Sequence, residues 1–275
     1  MVKKLIGQKN VKRIKHVLFF IKNISLLPSK NRIIKTSESI KNIRVYSQKN
    51  KNVFCGYYDL EPIKNNKMLV HVCDKNSVTN KNKLEIGYYE IDTGKYNKVT
   101  STSAWCWQQG SRLRWSNKEE DTFYFNDVYD SEYCCKKYNL KDEKMEKIIS
   151  FPLYDIDQNE TYGISINFSR LQRLRPGYGY NSLPEIDAEN KASKNDGLFI
   201  IDMNTNKKRL LISLYDLAIK VDSNLEYEHY LNHISFSPNG KQIMFFHLWT
   251  EKKQFDWNNE LCVIDVAGKE LKVIE

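Results

Sequence analysis

The sequence predicts an all-β fold: a β-propeller of four-stranded blades, preceded by a basic amphipathic N-terminal helix. Three observations carry that expectation. Short apolar runs alternate with polar turns, one strand recurs four times, and one hairpin turn is strongly specified. From residue 43 onward, β-branched and aromatic runs such as residues 68–72, 122–125, 198–201 and 243–246 are broken by turn residues. Runs this short favour strand over helix. The recurring strand occupies residues 89–92, 138–141, 199–202 and 262–265, with repeats 49, 61 and 63 residues apart. Such spacing fits blades of about 40–50 residues carrying insertions. Blades are expected at about 53–100, 105–150, 162–213 and 233–275, with 38–52 a linker or first strand.

The chain has 275 residues, with 43 basic against 34 acidic side chains and a net charge of +9. Ten of the basic residues fall in positions 1–37, and the first acid is Glu38. The body after that arm is therefore nearly neutral. Nucleic acid is not expected as a partner, because a binding body should carry its own basic face.

Within the arm, Val11, Ile14, Leu18 and Ile21 share one helical stripe, with Lys12, Lys15 and Lys22 off it. A helix of this kind can lie on an anionic membrane surface, or pack on the body with its lysines solvated. Its longest apolar run, residues 17–21, is shorter than the roughly 7–15 residues of a secretory signal core. The expected location is cytoplasmic, peripheral on the inner face of the membrane. The six cysteines form no C-x-x-C pair and no zinc spacing, so reduced thiols buried in strands are expected.

The specified turn is Ser237-Pro-Asn-Gly240, where Pro presets one turn dihedral and Gly takes the left-handed position. With its flanking strands, residues 233–246, it resembles the S-P-D-G-K repeat of WD40-like propellers. That group includes TolB, the prolyl oligopeptidase propellers and the oligogalacturonate lyases. Asn239 replaces the usual Asp, and residues 115–118, 168–171 and 60–63 hold degenerate copies of the turn. The resemblance covers residues 53–275 and implies a fold more than a function. Propellers of this group normally close with more than four blades. The sequence is therefore expected to be shortened at its C-terminus or to pair with a partner.

Aligning the inner strands on the turn puts Tyr57, Arg112, Ser165 and His233 at one level, and Asp59, Arg114, Asn167 and Ser235 two residues on. One reading is a water-filled channel of mutually satisfied polar groups; the other is a ligand site. Residues 170–181 favour the ligand, combining Arg170, Arg173 and Arg175 with Tyr178 and Tyr180. Arginine forks bind carboxylate or phosphate, and tyrosine faces stack on sugar rings. Gln109, next to Trp105 and Trp107, adds an amide. His233 is the acid/base candidate.

Metal binding has a weaker basis. His233 and His247 become diagonal neighbours if the hairpin loop is residues 238–240. The resemblance implies a manganese site, since oligogalacturonate lyases build one mainly from histidines. This chain has only His16, His71, His229, His233 and His247, and no Q-x-x-H-x-H cluster.

Walker, G-x-G-x-x-G, G-x-S-x-G and H-E-x-x-H motifs are all missing. The leading expectation is a propeller that binds or processes an anionic sugar or sugar nucleotide in surface polysaccharide biosynthesis. The alternatives are a non-enzymatic scaffold for a protein partner at the membrane and, third, a metal-dependent polysaccharide lyase.

Overall fold

A computed structural model describes residues 43–251 and 257–274. The expected amphipathic arm, residues 1–37, lies outside the described residues. Residues 46–275 form one compact unit, and residues 43–45 carry no regular structure.

Four antiparallel sheets follow one another along the chain as the blades of a β-propeller. The first contains β1 (Lys51–Phe54), β2 (Ile63–Lys64), β3 (Lys67–Asp74), β4 (Leu84–Glu90) and β5 (Tyr96–Thr102). Both β1 and β2 pair with β3, so two short strands share the inner edge. The second blade is β6 (Arg114–Trp115), β7 (Thr122–Tyr129), β8 (Glu132–Asn139) and β9 (Lys144–Ile149). The third is β10 (Asp155–Ile156), β11 (Tyr162–Ser165), β12 (Gly197–Asp202) and β13 (Lys207–Ser213). Helix α1 (Phe168–Leu174) interrupts it between β11 and β12, and α2 (Leu214–Lys220) follows it. The fourth is β14 (Glu228–Phe236), β15 (Gln242–Thr250), β16 (Asn258–Asp265) and β17 (Lys272–Ile274).

The recurring strand is the third of each blade: Tyr89, Tyr138, Phe199 and Cys262 lie in β4, β8, β12 and β16. The specified turn also forms as the sequence dictates. Gly240 adopts φ +67°, its N–H reaches the Ser237 carbonyl, and the Asn239 side chain accepts from the Lys241 amide. Blade three departs from expectation. Its inner strand is β10, and its turn is Asp157-Gln-Asn-Glu160, where the Asp157 carboxylate accepts from the amides of Asn159, Thr161 and Tyr162. Residues 162–165, expected on the inner edge, form the second strand.

The core lies between blades. Leu69 and Ile86 of blade one meet Leu113, Trp115, Phe123 and Phe125 of blade two. Tyr124, Cys135 and Ile149 meet Leu153, Ile156, Ile201 and Met203 of blade three. Leu198 and Ile200 meet Leu231, Ile243, Phe245 and Cys262 of blade four. Each such side chain contributes about 1.5–3 kcal/mol when fully buried, and the second and third sheets bury both faces this way. All six cysteines are free thiols, five of them buried. Among the described residues, no helix is long and apolar enough to cross a membrane.

Candidate binding site

The segments that lead into the inner strands converge on one buried hydroxyl, that of Tyr154, just before β10. It accepts from Gln109 Nε2 at 3.0 Å and from the His233 backbone N–H at 3.1 Å, and donates to Asn232 Oδ1 at 3.0 Å. Burial pushes this phenol up to about 12. Arg112 lies over the same ring, 4.4 Å from its centroid, and donates through Nε to the Tyr154 carbonyl at 2.7 Å. The other edge of the guanidinium grips Asp59 through bonds of 3.2 and 2.7 Å. All four blades are thereby tied at a plug beneath the mouth. Burial works against the charge on Arg112, but the Asp59 carboxylate holds it above the ordinary arginine value. The loop carrying Gln109 and Arg112 needs glycine at 110, because a Cβ there would stand 2.3 Å from His71 Cε1.

Above the plug sits a partly open cluster. The His233 ring lies 5.9 Å from Tyr57 and 6.1 Å from Tyr178, centroid to centroid. His233 falls at a break in the β14–β15 ladder and adopts φ +52°. Burial, reinforced by the positive charge of Arg175, lowers its pKa, so the imidazole is neutral at pH 7. The Tyr57 and Tyr178 rings meet edge to face at 6.1 Å, and burial followed by that neighbour raises the Tyr57 pKa. The Arg175 guanidinium lies 4.0 Å over Trp257 and 5.3 Å from the Tyr178 ring and meets the Tyr230 hydroxyl, and its Nη1 is buried without a partner among the described residues. Trp107 and Tyr58 are exposed nearby in sequence and packing; Trp107 lies 5.9 Å from Phe54 and Tyr58 4.4 Å from Tyr57.

The inserted segment is held in place from within. Asn167 caps α1 by accepting from the Arg170 amide, and the return loop donates from the Tyr180 amide to the Phe168 carbonyl. The Gln108 N–H bonds the Gly177 carbonyl, joining the insertion to the blade-two loop.

Of the residues singled out in the sequence, Tyr57, Asp59, Arg175, Tyr178 and His233 gather at the mouth. Gln109 and Arg112 are enclosed in the plug and reach a ligand only through Asp59 or His233. Four others are committed to structure. Arg114 pairs with Asp155, and Arg173 with Glu185 and Glu228. Asn167, away from the inner edge, caps α1 and bonds Asp196. Tyr180 is fully buried, stacked on Phe168 at 4.4 Å and 4°, and offers no ring face to a sugar.

The two histidines considered for a metal have different neighbours. His247 Nε2 lies 3.0 Å from His229 Nδ1, while His233 faces Tyr57, Tyr178 and Phe246. Among the described residues no cluster of three or more His, Cys, Asp or Glu side chains is placed to hold a metal ion. The residues present therefore do not fit a manganese site of the expected kind.

Sequence reasoning missed Tyr154, Asp155, Asn232 and Trp257. Asp155 was findable: it precedes Asp157 by the same two residues that separate Arg114 from Ser116 and Ser235 from Ser237. A cavity of about 580 Å³ opens away from the mouth, between blades two and three, lined by Phe151, Ile166, Leu183 and Phe199. Two of its three acids are engaged, Asp196 by Arg170 and Asp187 by Ser193 and Asn190, and the third, Glu132, is exposed. The mouth is the better candidate, because a guanidinium without an ion pair among the described residues, an imidazole and tyrosine hydroxyls meet there.

No family model matches the sequence, and no curated protein matches it. Among solved structures, oligogalacturonate lyase in complex with manganese aligns with a TM-score of 0.52 at 12% identity. The alignment covers 82% of this chain and 54% of that one, so the chain spans about half the lyase's length. TolB from Acinetobacter baumannii aligns at 0.42 and 10% identity, over 74% of this chain and 40% of that one. The fold is a β-propeller, as it is in that lyase. At these identities the likeness establishes the fold alone.

Proposed function

We propose that the chain is a carbohydrate-binding propeller that takes an anionic sugar, as a uronate or a sugar nucleotide, at the mouth described above. One observation carries the reading: Arg175 Nη1 is buried without a partner among the described residues, on a guanidinium held against Trp257, Tyr178 and Tyr230. A buried donor left unpaired is costly, and a carboxylate or phosphate oxygen would satisfy it with a charge-assisted bond. Tyr57 and Tyr178 supply ring faces and hydroxyls for the sugar, and His233 the group able to move a proton. A role in surface polysaccharide assembly, at the inner face of the membrane through the basic positions 1–37, belongs to the same proposal.

The experiment is thermal unfolding of the full chain with a galacturonate trimer or UDP-glucuronate. A ligand at 100 times its dissociation constant stabilises by about 2.7 kcal/mol. The expected result is an upward shift that Arg175→Ala abolishes. No shift with either ligand, or a shift that persists in Arg175→Ala, would refute the reading.

A second reading, a scaffold for a protein partner, is favoured by one face of blade four. Met244, Phe246, Leu261, Val263 and Ile274 share that face by cross-strand register, and Met244 and Ile274 are exposed. It predicts a partner whose capture is lost in Met244→Lys and retained in Arg175→Ala.

A further inference from the structure

We infer that Tyr154 is the positioning residue of the mouth, its hydroxyl holding the His233 backbone in the left-handed conformation that aims the imidazole at Tyr57 and Tyr178. The inference rests on reading the mouth as a ligand site and adds the group that organises it.

Sequence already makes position 233 unusual. Residues other than glycine take positive φ in only a few per cent of cases, histidine more readily than most, and His233 stands at +52° within a strand. Such a conformation persists only where its surroundings impose it. The strand ladder does not, since pairing runs from Asn232 opposite Phe246 directly to Ser235 opposite Met244 and skips His233. Among the described residues, the group that meets the His233 amide is the Tyr154 hydroxyl, at 3.1 Å.

That hydroxyl has no capacity left for a ligand. A phenol offers one donor and two acceptor positions, and here Asn232 takes the first while Gln109 and His233 fill the others. The ring beneath is fixed as well, between Arg112 at 4.4 Å and Phe168 at 5.9 Å. Tyr154 thus acts on the mouth only through His233. The groups facing His233 are Tyr57 and Asp59 from blade one, Arg112 from blade two, Arg175 and Tyr178 from the insertion, and Phe246 from its own blade.

The test is Tyr154→Phe, which keeps the ring under Arg112 and deletes the hydroxyl. The readout is NMR of the histidine rings in the full chain, with His233 assigned by its loss in His233→Gln. The expected result has three parts: the His233 ring resonances move, its cross-peaks to Tyr57 and Tyr178 disappear, and its titration midpoint rises. The resonances of His71, His229 and His247 stay in place. Unchanged His233 resonances, cross-peaks and midpoint would overturn the inference. If Tyr154→Phe does not fold, Asn232→Ala removes the acceptor that fixes the hydroxyl and is read by the same two outcomes. Ligand binding is a separate measurement. Wild-type protein that binds neither galacturonate trimer nor UDP-glucuronate removes the functional reading, while the His233 response still decides the role of Tyr154.

Discussion

Arg112 and Asp59 form a two-bond pair across the first two blades, with the arginine side chain 2% exposed and the carboxylate 27%. An enclosed guanidinium that loses its carboxylate keeps its desolvation cost without the compensating attraction. Asp59→Ala is expected to destabilise the protein by about 3 kcal/mol, the low end for breaking a buried pair. That corresponds to a midpoint lower by about 6–12 °C in calorimetry. Asp59→Ala combined with Arg112→Met should recover part of the loss, because no charge is then stranded. A double variant less stable than Asp59→Ala would contradict this account of the pair.

Two enclosed histidines make stability depend on pH. His229 Nε2 faces the Asn224 carbonyl, which can only accept, so that nitrogen carries the proton and His229 Nδ1 accepts from His247 Nε2. The remaining His247 nitrogen is buried without a partner. Burial lowers His247 to about 3 and His71 to about 4. In the unfolded chain both titrate near 6.5, so below that pH the unfolded state binds more protons. Their stabilising effect is therefore complete above about pH 6.5 and declines on acidification toward the folded values. Each ring contributes a slope of up to about 1.4 kcal/mol per pH unit. Urea unfolding at pH 7 and pH 5 should show the decline, and His247→Leu should reduce its steepness. A pH-independent midpoint over that interval would rule out neutral, buried rings.

Blade four is legible in the sequence because Pro238 and Gly240 dictate its turn. Blade three is not, for a physical reason. Its inner strand is two residues long, and its turn has neither Pro nor Gly; the Asp157 carboxylate organises it through three backbone amides. Meanwhile Phe168-Ser-Arg-Leu171 imitates the turn pattern but begins a helix, since Asn167 caps it. The mouth was partly readable, in Tyr57, Asp59, Arg175, Tyr178 and His233, because polar and aromatic residues recur where loops enter inner strands. Tyr154 was hidden, because its partners lie 45 and 78 residues away and no local pattern links them.

Gly179 is required for space. A Cβ there would lie 2.1 Å from the Phe168 carbonyl oxygen and 2.4 Å from the Gln172 amide nitrogen, both backbone atoms that cannot rotate aside. Gly179→Ala must push the return loop off α1, carrying Tyr178 from its place beside His233. The expected loss is about 3 kcal/mol, at the upper end for overpacking. It should appear in thermal unfolding together with weakened ligand binding. An alanine variant as stable as the parent would show that the loop is not held against the helix.

Arg173 and Arg175 stand two residues apart at the end of α1, yet the structure gives them opposite tasks. Arg173 neutralises Glu185 and Glu228, whose side chains are 7% and 14% exposed, and these carboxylates hold its pKa above the ordinary arginine value. Arg175 makes no ion pair among the described residues and packs on Trp257. Arg173→Ala leaves Glu185 and Glu228 with only the longer contacts of Arg170, at 3.4 and 3.9 Å, and is expected to cost about 3 kcal/mol of stability. Arg175→Ala strands no carboxylate among the described residues and removes only the contacts with Tyr230 and Trp257, so its unfolding midpoint should fall less than that of Arg173→Ala while binding of the anionic sugar is lost. Measuring midpoint and affinity for both variants separates the two roles. If Arg173→Ala loses binding at unchanged stability, the anion site belongs to Arg173 and the assignment to Arg175 fails.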